Sequence, residues 1–433
     1  MAKTVNIGVL GCGNVGAALV ELIGLRSDEI EQRTGLRLQI AKVAVRSVSK
    51  ERGVLLEDGV LTLDAQGVVS DPNIDLVVEV IGGIEPAREL ISAALASGKA
   101  VVTANKELLA NVGTELFAEA DSSGVDLLFE AAVAGGVPIV RPLRESLMGE
   151  DISRVMGIVN GTTNYILTKM TEEGWTYAAA LAEAQGLGYA ERDPTADVEG
   201  FDAGAKAAII ATLAFGLRIV AGDVYHEGIS AVTKTDIEFA RRLGYVVKLL
   251  AIADRFSDGT VAVRVHPAMV PNEHPLAAVR DSFNAVFVQG KAVGDLMFYG
   301  RGAGGNPTAS AVLGDVVDAA ANLLKGTFAS CGSFAPASLR PVDELVSPFY
   351  LNLEVSDEPG VLAAVAGVFG AHQVSIHSME QEVLEQQPDR GAARLIFITH
   401  AAREADVRAT LRELSSLHSV TSVGSVLRVI GND

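Results

Sequence analysis

Asp202 and Lys206 stand four residues apart in a segment that reads as a helix beginning near Gly200, so both side chains fall on one face. A pair of this kind is ordinarily a solvated ion pair worth roughly a few tenths of a kcal/mol. Two features of the surrounding sequence point to a different use. The helix continues Ala207-Ala208-Ile209-Ile210-Ala211, which is apolar throughout, so the pair borders a buried element. The loop before it carries Glu191, Asp193 and Asp197, more carboxylate than a turn requires, and such a cluster suits the α-ammonium of an amino-acid substrate. A second ammonium, Lys106, closes Thr103-Ala104-Asn105-Lys106 at the end of a strand expected to be parallel, where open α/β sheets place their ligands. Taken alone, Lys106 is also an ordinary surface residue.

Gly11-Cys12-Gly13-Asn14-Val15-Gly16 forms a G-x-G-x-x-G between the first strand and the first helix. Glycines at these positions allow a tight turn, close approach of a pyrophosphate to the backbone, and close helix–strand packing. The helix start then offers free N–H groups to phosphate. Outside a strand–loop–helix context the hexad is only a glycine-rich turn. The second strand ends Val43-Ala44-Val45-Arg46, followed by Ser47 and Lys50, with no carboxylate before Glu51. A carboxylate there would bond a ribose 2′-hydroxyl; a basic residue accommodates a 2′-phosphate. NADP(H) is therefore favoured and NAD(H) is the alternative, the bland reading being that Arg46 and Lys50 are merely solvated. Cys12 reads as a small filler of the loop.

The elements that must hold these residues follow from pattern. The first third alternates strand-like segments (Val5–Leu10, Gln39–Val45, Leu76–Val80, Ala100–Thr103, Leu127–Glu130) with helix-like ones (Gly16–Ile23, Pro86–Ser97, Ala110–Ser122), which implies a parallel sheet covered on both faces. After the turn Gly135-Gly136-Val137-Pro138 a helix is expected over Ile139–Leu147. A strand Arg154–Val159 follows, then a helix-rich stretch through Leu250. Val261–Val265 and Ala285–Val293 read as strands of a second sheet, and Gly300–Gly305 as a loop into helix Thr308–Leu324. That helix is rich in small residues and is expected to pack back on the first domain. Residues 326–347 read as a linker. The last segment runs strand, helix, strand, strand, helix, strand, a ferredoxin-like βαββαβ order. The expected domains are 1–135 with helix 305–325 returning to it, 136–304, the linker, and 348–433. No internal repeat is found.

Composition narrows the function. The 433 residues carry a formal charge of −19, which opposes nucleic-acid binding, and no basic stripe is present. The 49% hydrophobic content suits well-buried cores. Two cysteines and no CxxC pattern exclude a disulfide framework. No apolar run reaches the ~20 residues that cross a bilayer, and no leader pattern precedes the first strand, so no membrane association and a cytoplasmic location are expected.

Read together, Gly11–Gly16, Thr103–Lys106, Asn160-Gly161-Thr162-Thr163-Asn164, Gly188–Lys206 and Arg301-Gly302-Ala303-Gly304-Gly305 with Pro307-Thr308 resemble homoserine dehydrogenase over nearly the whole chain. The resemblance implies a Rossmann-type doubly wound domain, an α+β catalytic and dimerisation domain with a mixed sheet, and reversible NAD(P)H-dependent reduction of L-aspartate 4-semialdehyde to L-homoserine. By that resemblance Lys206 is the proton donor, Asp202 orients substrate and Lys206, and Lys106 is catalytic or contacts the cofactor. It places Glu191 at the homoserine amine, with Tyr189 and Asp197 as further substrate contacts. It gives Gly304 a backbone contact to the cofactor beside Gly11, Gly13, Asn14, Val15 and Gly16. The stretch Glu130–Val137 is similar to the family's sodium loop, implying Glu130 and the carbonyls of Val133, Gly135 and Val137 as ligands of a monovalent cation. Hydride arriving at an aldehyde carbon leaves charge on oxygen that a lysine can stabilise and protonate.

Residues 349–430 resemble an ACT domain, with Asp357-Glu358-Pro359-Gly360-Val361-Leu362 at its strand-to-helix turn. The expected effector is threonine; the alternative is a module that only pairs subunits, and a homodimer or homotetramer is expected. Rival activities fit less well. An acylating semialdehyde dehydrogenase needs an activated cysteine, and Cys12 and Cys331 are poorly placed. A hydroxyacid dehydrogenase wants a paired histidine, and none of the seven histidines falls in Gly188–Lys206. A catalytically inactive sensor would have no need to retain Lys206 and Asp202.

Overall fold

The computed structural model describes residues 3–384 and 391–431, so the outermost bounds of the first and last expected domains lie outside it. The N-terminal unit contains β1 (Lys3–Leu10), α1 (Asn14–Thr34), β2 (Leu36–Ala44), β3 (Leu61–Thr62), α2 (Ala65–Ser70), β4 (Leu76–Glu79), α3 (Ala87–Ala96), β5 (Ala100–Thr103), α4 (Lys106–Ser123) and β6 (Leu127–Leu128). Its strands pair in the order β3-β2-β1-β4-β5-β6, all parallel. The order reverses between β1 and β4, and the crevice beyond that switch point is where such sheets receive a dinucleotide. Val5, Ile7 and Val9 are buried on one face and Leu10 and Val77 on the other, which is why these strands read as continuous apolar runs.

The middle unit holds β7 (Ile152–Ile158), α5 (Gly161–Glu173), α6 (Tyr177–Gly186), α7 (Thr195–Val198), α8 (Phe201–Phe215), the short β8 (Leu217–Arg218) and β9 (Tyr225–His226), and α9 (Lys234–Arg242). After these come β10 (Tyr245–Arg255), β11 (Val261–Pro271), β12 (Phe283–Gly290), β13 (Gly294–Arg301) and α10 (Gly305–Lys325). Several sequence expectations need correction here. The helix-rich stretch stops at Arg242, because Tyr245–Arg255 is an eleven-residue strand between β7 and β11. Its run Val247–Ala253 is buried on both faces and so lacks the alternation that marks a half-buried strand. The strand expected over Ala285–Val293 ends at Gly290, and Gly294–Arg301 is a further edge strand, β13, which takes in the first two residues of the loop expected at Gly300–Gly305. The expected helix at Ile139–Leu147 is one irregular turn over Pro142–Ser146, and strand β6 ends before Glu130, which opens a short 3-10 turn.

Helix α10 packs along α1, and a β-carbon at Gly305 would meet the Asn14 carbonyl at 3.2 Å, so the two helices begin side by side. Residues 326–347 are docked along the middle unit. Within them β14 (Ala335–Pro336) pairs with β8, and the Val261 amide bonds the Ser338 carbonyl at 3.0 Å.

The C-terminal unit runs β15 (Val346–Ser347), β16 (Phe349–Ser356), α11 (Val361–Ala371), β17 (Ile376–Leu384), β18 (Ala392–Thr399), β19 (Ala402–Arg403), α12 (Glu404–Leu414) and β20 (Val420–Val429). The order β20-β16-β18-β17 is the ferredoxin-like arrangement. Strand β20 also pairs with β11 at Ala268–Arg428 and Met269–Val429, which makes one sheet of the middle and C-terminal units.

Candidate active site

Asn105 caps α4 by accepting from the Leu108 amide at 3.1 Å, and its own amide donates to the Gly83 carbonyl at 2.7 Å. The cap makes Lys106 the first helical residue, four earlier than the sequence pattern suggests. A cation at the positive end of a helix is unfavourable by itself. Lys106 is compensated by an ion pair from Nζ to Asp202 Oδ1. Asp202 stands in the first turn of α8, where the helix dipole favours a carboxylate, and Gly200 permits the entry at φ +86°.

The other Asp202 oxygen accepts from Lys206 Nζ at 2.7 Å and from Asn160 Nδ2 at 2.9 Å. Lys206 Nζ donates further to the Val159 carbonyl at 2.7 Å. Asn160 caps α5 by accepting from the Thr163 amide at 2.8 Å, and its Nδ2 also reaches Asp197 Oδ1 at 2.7 Å. Four elements thus converge on one carboxylate shared by two ammoniums. The side chains of Asp202 and Lys206 are 6% and 11% exposed and that of Lys106 is 44% exposed, so the cluster opens toward solvent through Lys106.

Charge sharing sets the protonation states. Burial lowers the Lys206 pKa below the ordinary lysine value; Asp202 opposes this and the Lys106 charge adds to it. Burial works against the charge of Lys106, but Asp202 prevails and the pKa is raised. Burial also disfavours the Asp202 anion, yet the two ammoniums hold its pKa well below the usual carboxylate range. Asp197 is raised, by burial first and by Asp202 among its neighbours.

Four of the expected residues, Lys106, Asp202, Lys206 and Asp197, therefore meet in one hydrogen-bonded cluster. Tyr189 and Glu191 do not join it. Tyr189 is 44% exposed; its carbonyl accepts from Thr162 Oγ1 at 2.7 Å and its ring centroid lies 4.9 Å from that of Tyr165. Glu191 is exposed, held through its carbonyl by Gln185 at 3.1 Å. Asn160 was legible only as part of a motif, without a role. Glu79 carried no signal. Fully buried at the end of β4, it accepts from Thr103 Oγ1 at 2.6 Å and from the Ile81 and Gly82 amides at 2.8 and 3.1 Å. It thereby shapes the loop that Asn105 grips.

The glycine turn separates into two kinds of position. A β-carbon at Gly11, where φ is +102°, would strike the Val80 carbonyl at 2.8 Å, and one at Gly16 would strike the Gly11 carbonyl at 2.3 Å. At Gly13 it would meet nothing within 4 Å. Gly11 and Gly16 are thus required by the protein's own packing, while Gly13 faces open space, as backbone that must approach a pyrophosphate should. Gly13 offers no side-chain cap, leaving the first-turn amides at Asn14, Val15 and Gly16 for a ligand. Gly304, at φ +121°, opens α10 beside them, also without a side-chain cap. Arg46 is exposed two residues past β2; next to it Arg52 folds the loop by donating to the Ser47 and Lys50 carbonyls.

The Glu130 carboxylate is engaged as a helix cap: it accepts from the Ile139, Val140 and Arg141 amides at 2.6, 2.8 and 2.9 Å. Ala134 and Gly135 are consecutive left-handed residues, both at φ +53°, in a fully buried turn. Among the described residues no hydrogen bond reaches the carbonyls of Val133, Gly135 or Val137. Nearby, Glu130, Asp315 and Asp318 surround the single guanidinium of Arg141. Burial pushes the Asp315 carboxyl up to about 6. Unpartnered carbonyls beside surplus negative charge fit a hard monovalent cation.

Comparison with known proteins agrees in extent and order. Residues 11–130 match the family model for the homoserine dehydrogenase NAD-binding domain, 138–317 that for homoserine dehydrogenase, and 349–419 that for the ACT domain. The chain is 48% identical to a homoserine dehydrogenase of Mycobacterium tuberculosis over 99% of its own length and 98% of the relative. A crystal structure of a homoserine dehydrogenase from Thiobacillus denitrificans superposes with a TM-score of 0.92 at 40% identity, covering 99% of both chains. A hyperthermophilic archaeal homoserine dehydrogenase solved in complex with NADPH superposes with a TM-score of 0.64 at 32% identity, covering 75% of this chain and 98% of its own. No helix among the described residues is long and apolar enough to cross a membrane.

Proposed function

The chain belongs to the homoserine dehydrogenase family of NAD(P)-dependent oxidoreductases, which interconvert L-aspartate 4-semialdehyde and L-homoserine, and from that premise we propose how its own residues divide the reaction. The observation that carries the reading is one buried carboxylate, Asp202, holding two ammoniums at the mouth of the dinucleotide crevice. The chemistry the cofactor supplies when bound is hydride transfer to the aldehyde carbon. Lys206 protonates the oxygen that thereby becomes negative, and its lowered pKa makes it a better donor than an ordinary lysine. Asp202 fixes the Lys206 rotamer and keeps the ammonium charged. Lys106, half-exposed and sharing the same carboxylate, faces the incoming ligands and stabilises the same charge. Asp197 and Asn160 fix the polar wall of the pocket. Glu191 and Tyr189, on the exposed rim, close on the substrate α-ammonium when it docks.

Gly11, Gly13, Asn14, Val15, Gly16 and Gly304 hold the pyrophosphate, and Arg46 takes the 2′-phosphate of NADP(H) in preference to NAD(H). A monovalent cation, sodium, is held by the Val133, Gly135 and Val137 carbonyls. Glu130 contributes charge to it and not a free ligand oxygen, since its carboxylate caps the following turn. Threonine binds the ACT unit as effector. The chain pairs into a homodimer or homotetramer through the middle unit, whose edge strand β13 leaves Tyr299 and Met297 exposed.

The test is Lys206→Ala in the full chain. NADPH oxidation with aspartate semialdehyde falls by about two or more orders of magnitude in kcat, while NADPH binding, read by nicotinamide fluorescence, is nearly unchanged. Retained turnover overturns the assignment.

A further inference from the structure

Glu227 takes no part in the chemistry, yet it ties the C-terminal unit to the segment that carries the donor cluster. Its carboxylate accepts a forked pair of bonds from Arg428 of β20, at 2.8 and 2.9 Å, and a third from the Tyr225 hydroxyl. Arg428 is held from behind by Glu404 of α12 at 2.5 and 2.9 Å. A forked guanidinium–carboxylate pair fixes direction as well as distance. Strand β9 ends just before this residue; the Glu227 amide still bonds the Val265 carbonyl of β11 at 2.8 Å, and beyond it the chain turns to the catalytic segment. The reach of one glutamate side chain therefore helps to set where that turn lies.

Past Glu227 the loop meets residues 198–201 largely by backbone. The Ile229 amide donates to the Val198 carbonyl at 2.8 Å, and both residues are buried. A β-carbon at Gly228 would meet the Val198 carbonyl at 2.3 Å and Glu199 Cα at 2.6 Å; one at Gly200 would meet the Glu227 carbonyl at 3.2 Å. Two glycines thus let the segments touch main chain to main chain, and the His226 and Phe201 rings add a contact with centroids 4.3 Å apart. Intervening side chains could absorb a displacement by changing rotamer. Close-packed backbone passes it on. What would move carries the chemistry: Asp197 immediately precedes Val198, and Asp202, which holds both ammoniums, stands in the first turn after Gly200.

We propose that Glu227 is a positioning residue for the reduction: its side chain, anchored on Arg428, sets where Asp202, and through it Lys206, stands in the crevice. It acts through the loop and touches neither substrate nor cofactor. The C-terminal unit is then a working part of the catalytic one whether or not an effector is bound. This inference rests on the reading of Lys206 as the proton donor.

Two substitutions in the full chain separate reach from charge. Glu227→Asp keeps the charge and shortens the arm by a methylene. Glu227→Gln keeps the arm and discards the charge, and its amide oxygen still accepts from Arg428. NADPH oxidation with aspartate semialdehyde is measured alongside the urea midpoint and the NADPH dissociation constant. In Glu227→Asp, kcat falls about tenfold or more, since a misplacement of about 1 Å can cost about a hundredfold, while NADPH affinity is unchanged. In Glu227→Gln the urea midpoint drops but kcat stays close to wild type, because the charge contributes stability and the reach contributes rate. A wild-type kcat in Glu227→Asp overturns the proposal. So does an equal fall in Glu227→Gln, which would make charge and not reach responsible. Arg428→Lys cuts the same contact from the other side, an ammonium being unable to fork onto the carboxylate. It gives the same fall in kcat, and a wild-type kcat there overturns the proposal even where Glu227→Asp does not fold. Wild-type turnover is the reference for every outcome, so failure here leaves the proton-donor role of Lys206 to its own variant.

Discussion

Two buried charge clusters of this protein are near mirror images. In the candidate active site two ammoniums share the carboxylate of Asp202. At the joint between the middle and C-terminal units two carboxylates share the guanidinium of Arg428. That guanidinium bonds Glu404 at 2.5 and 2.9 Å and Glu227 at 2.8 and 2.9 Å, its side chain only 7% exposed. Arg428 is closed on every side by matched acceptors, whereas the crevice cluster leaves Lys106 half in solvent and sets two ammoniums on the single carboxylate of Asp202. A saturated cluster is a fastener. One left a partner short, and open, can lend charge to something that arrives. The fastener is also connected: the Ile229 amide, two residues past Glu227, bonds the Val198 carbonyl at 2.8 Å, and a β-carbon at Gly200 would meet the Glu227 carbonyl at 3.2 Å. Arg428 of the ACT unit thus bears, through one loop, on the start of the helix that carries Asp202 and Lys206.

The largest effect expected from this contrast is on stability. Arg428→Met leaves Glu404 only its longer bond to Arg408 and Glu227 only the Tyr225 hydroxyl, and costs about 3–5 kcal/mol, the range for removing one partner from a buried pair, read as a lower urea midpoint at neutral pH. The Arg428 bonds overcome the burial that would raise the Glu227 carboxyl and hold its pKa low, so this stabilisation is present at neutral pH and lost as pH falls through the lowered value. The gap between wild type and variant should therefore narrow in acid. A gap that is constant with pH would mean lost packing and not lost charge pairing.

Asp202→Asn is the matching cut in the crevice and should behave oppositely. Lys106 can turn to water, so the urea midpoint should move less than in Arg428→Met. Turnover should fall about a hundredfold, within the range for a disabled acid–base group. Similar stability losses in both variants would erase the distinction between fastener and open site.

What the sequence made legible follows the same division. The strand–glycine–helix start, the i and i+4 placement of Asp202 and Lys206, and the βαββαβ tail all express local periodicity and could be read directly. Strand β10 could not, because burial on both faces removes alternation and leaves a run indistinguishable from helix. Arg428, Glu227 and Glu79 were invisible for a different reason: each finds its partner by a tertiary contact, and nothing in the residues adjoining a lone arginine or glutamate announces it. The ACT module reads as an appended domain, yet β20 extends the catalytic sheet through pairs that only folding reveals.

A smaller effect concerns pH. With Lys206 as the proposed proton donor, reduction needs it protonated, so kcat/KM should fall as pH rises through its lowered pKa. Lys106→Met removes a like charge and should move that alkaline limb upward; Asp202→Asn removes the opposing anion and should move it downward. Shifts in the same direction would show that the two ammoniums do not compete for one carboxylate.

Arg46 tests the far end of the comparison, a cation with no built partner. It is exposed beyond β2, and among the described residues it makes no ion pair. An exposed charge of this kind contributes little to folding, so Arg46→Ala should leave the urea midpoint unchanged. Its value would appear only when a phosphate arrives, since a guanidinium can fork onto phosphate oxygens. NADP+ binding should weaken about tenfold, the equivalent of ~1.4 kcal/mol, while NAD+ binding changes little, and added salt should shrink the difference by screening. Arg52 bounds the prediction: its guanidinium is tied to the Ser47 and Lys50 carbonyls, so it orders the loop but is less able to turn toward a ligand. Equal losses for the two cofactors in Arg46→Ala would mean that Arg46 stacks on the adenine they share, and the basis for preferring NADP(H) would be gone.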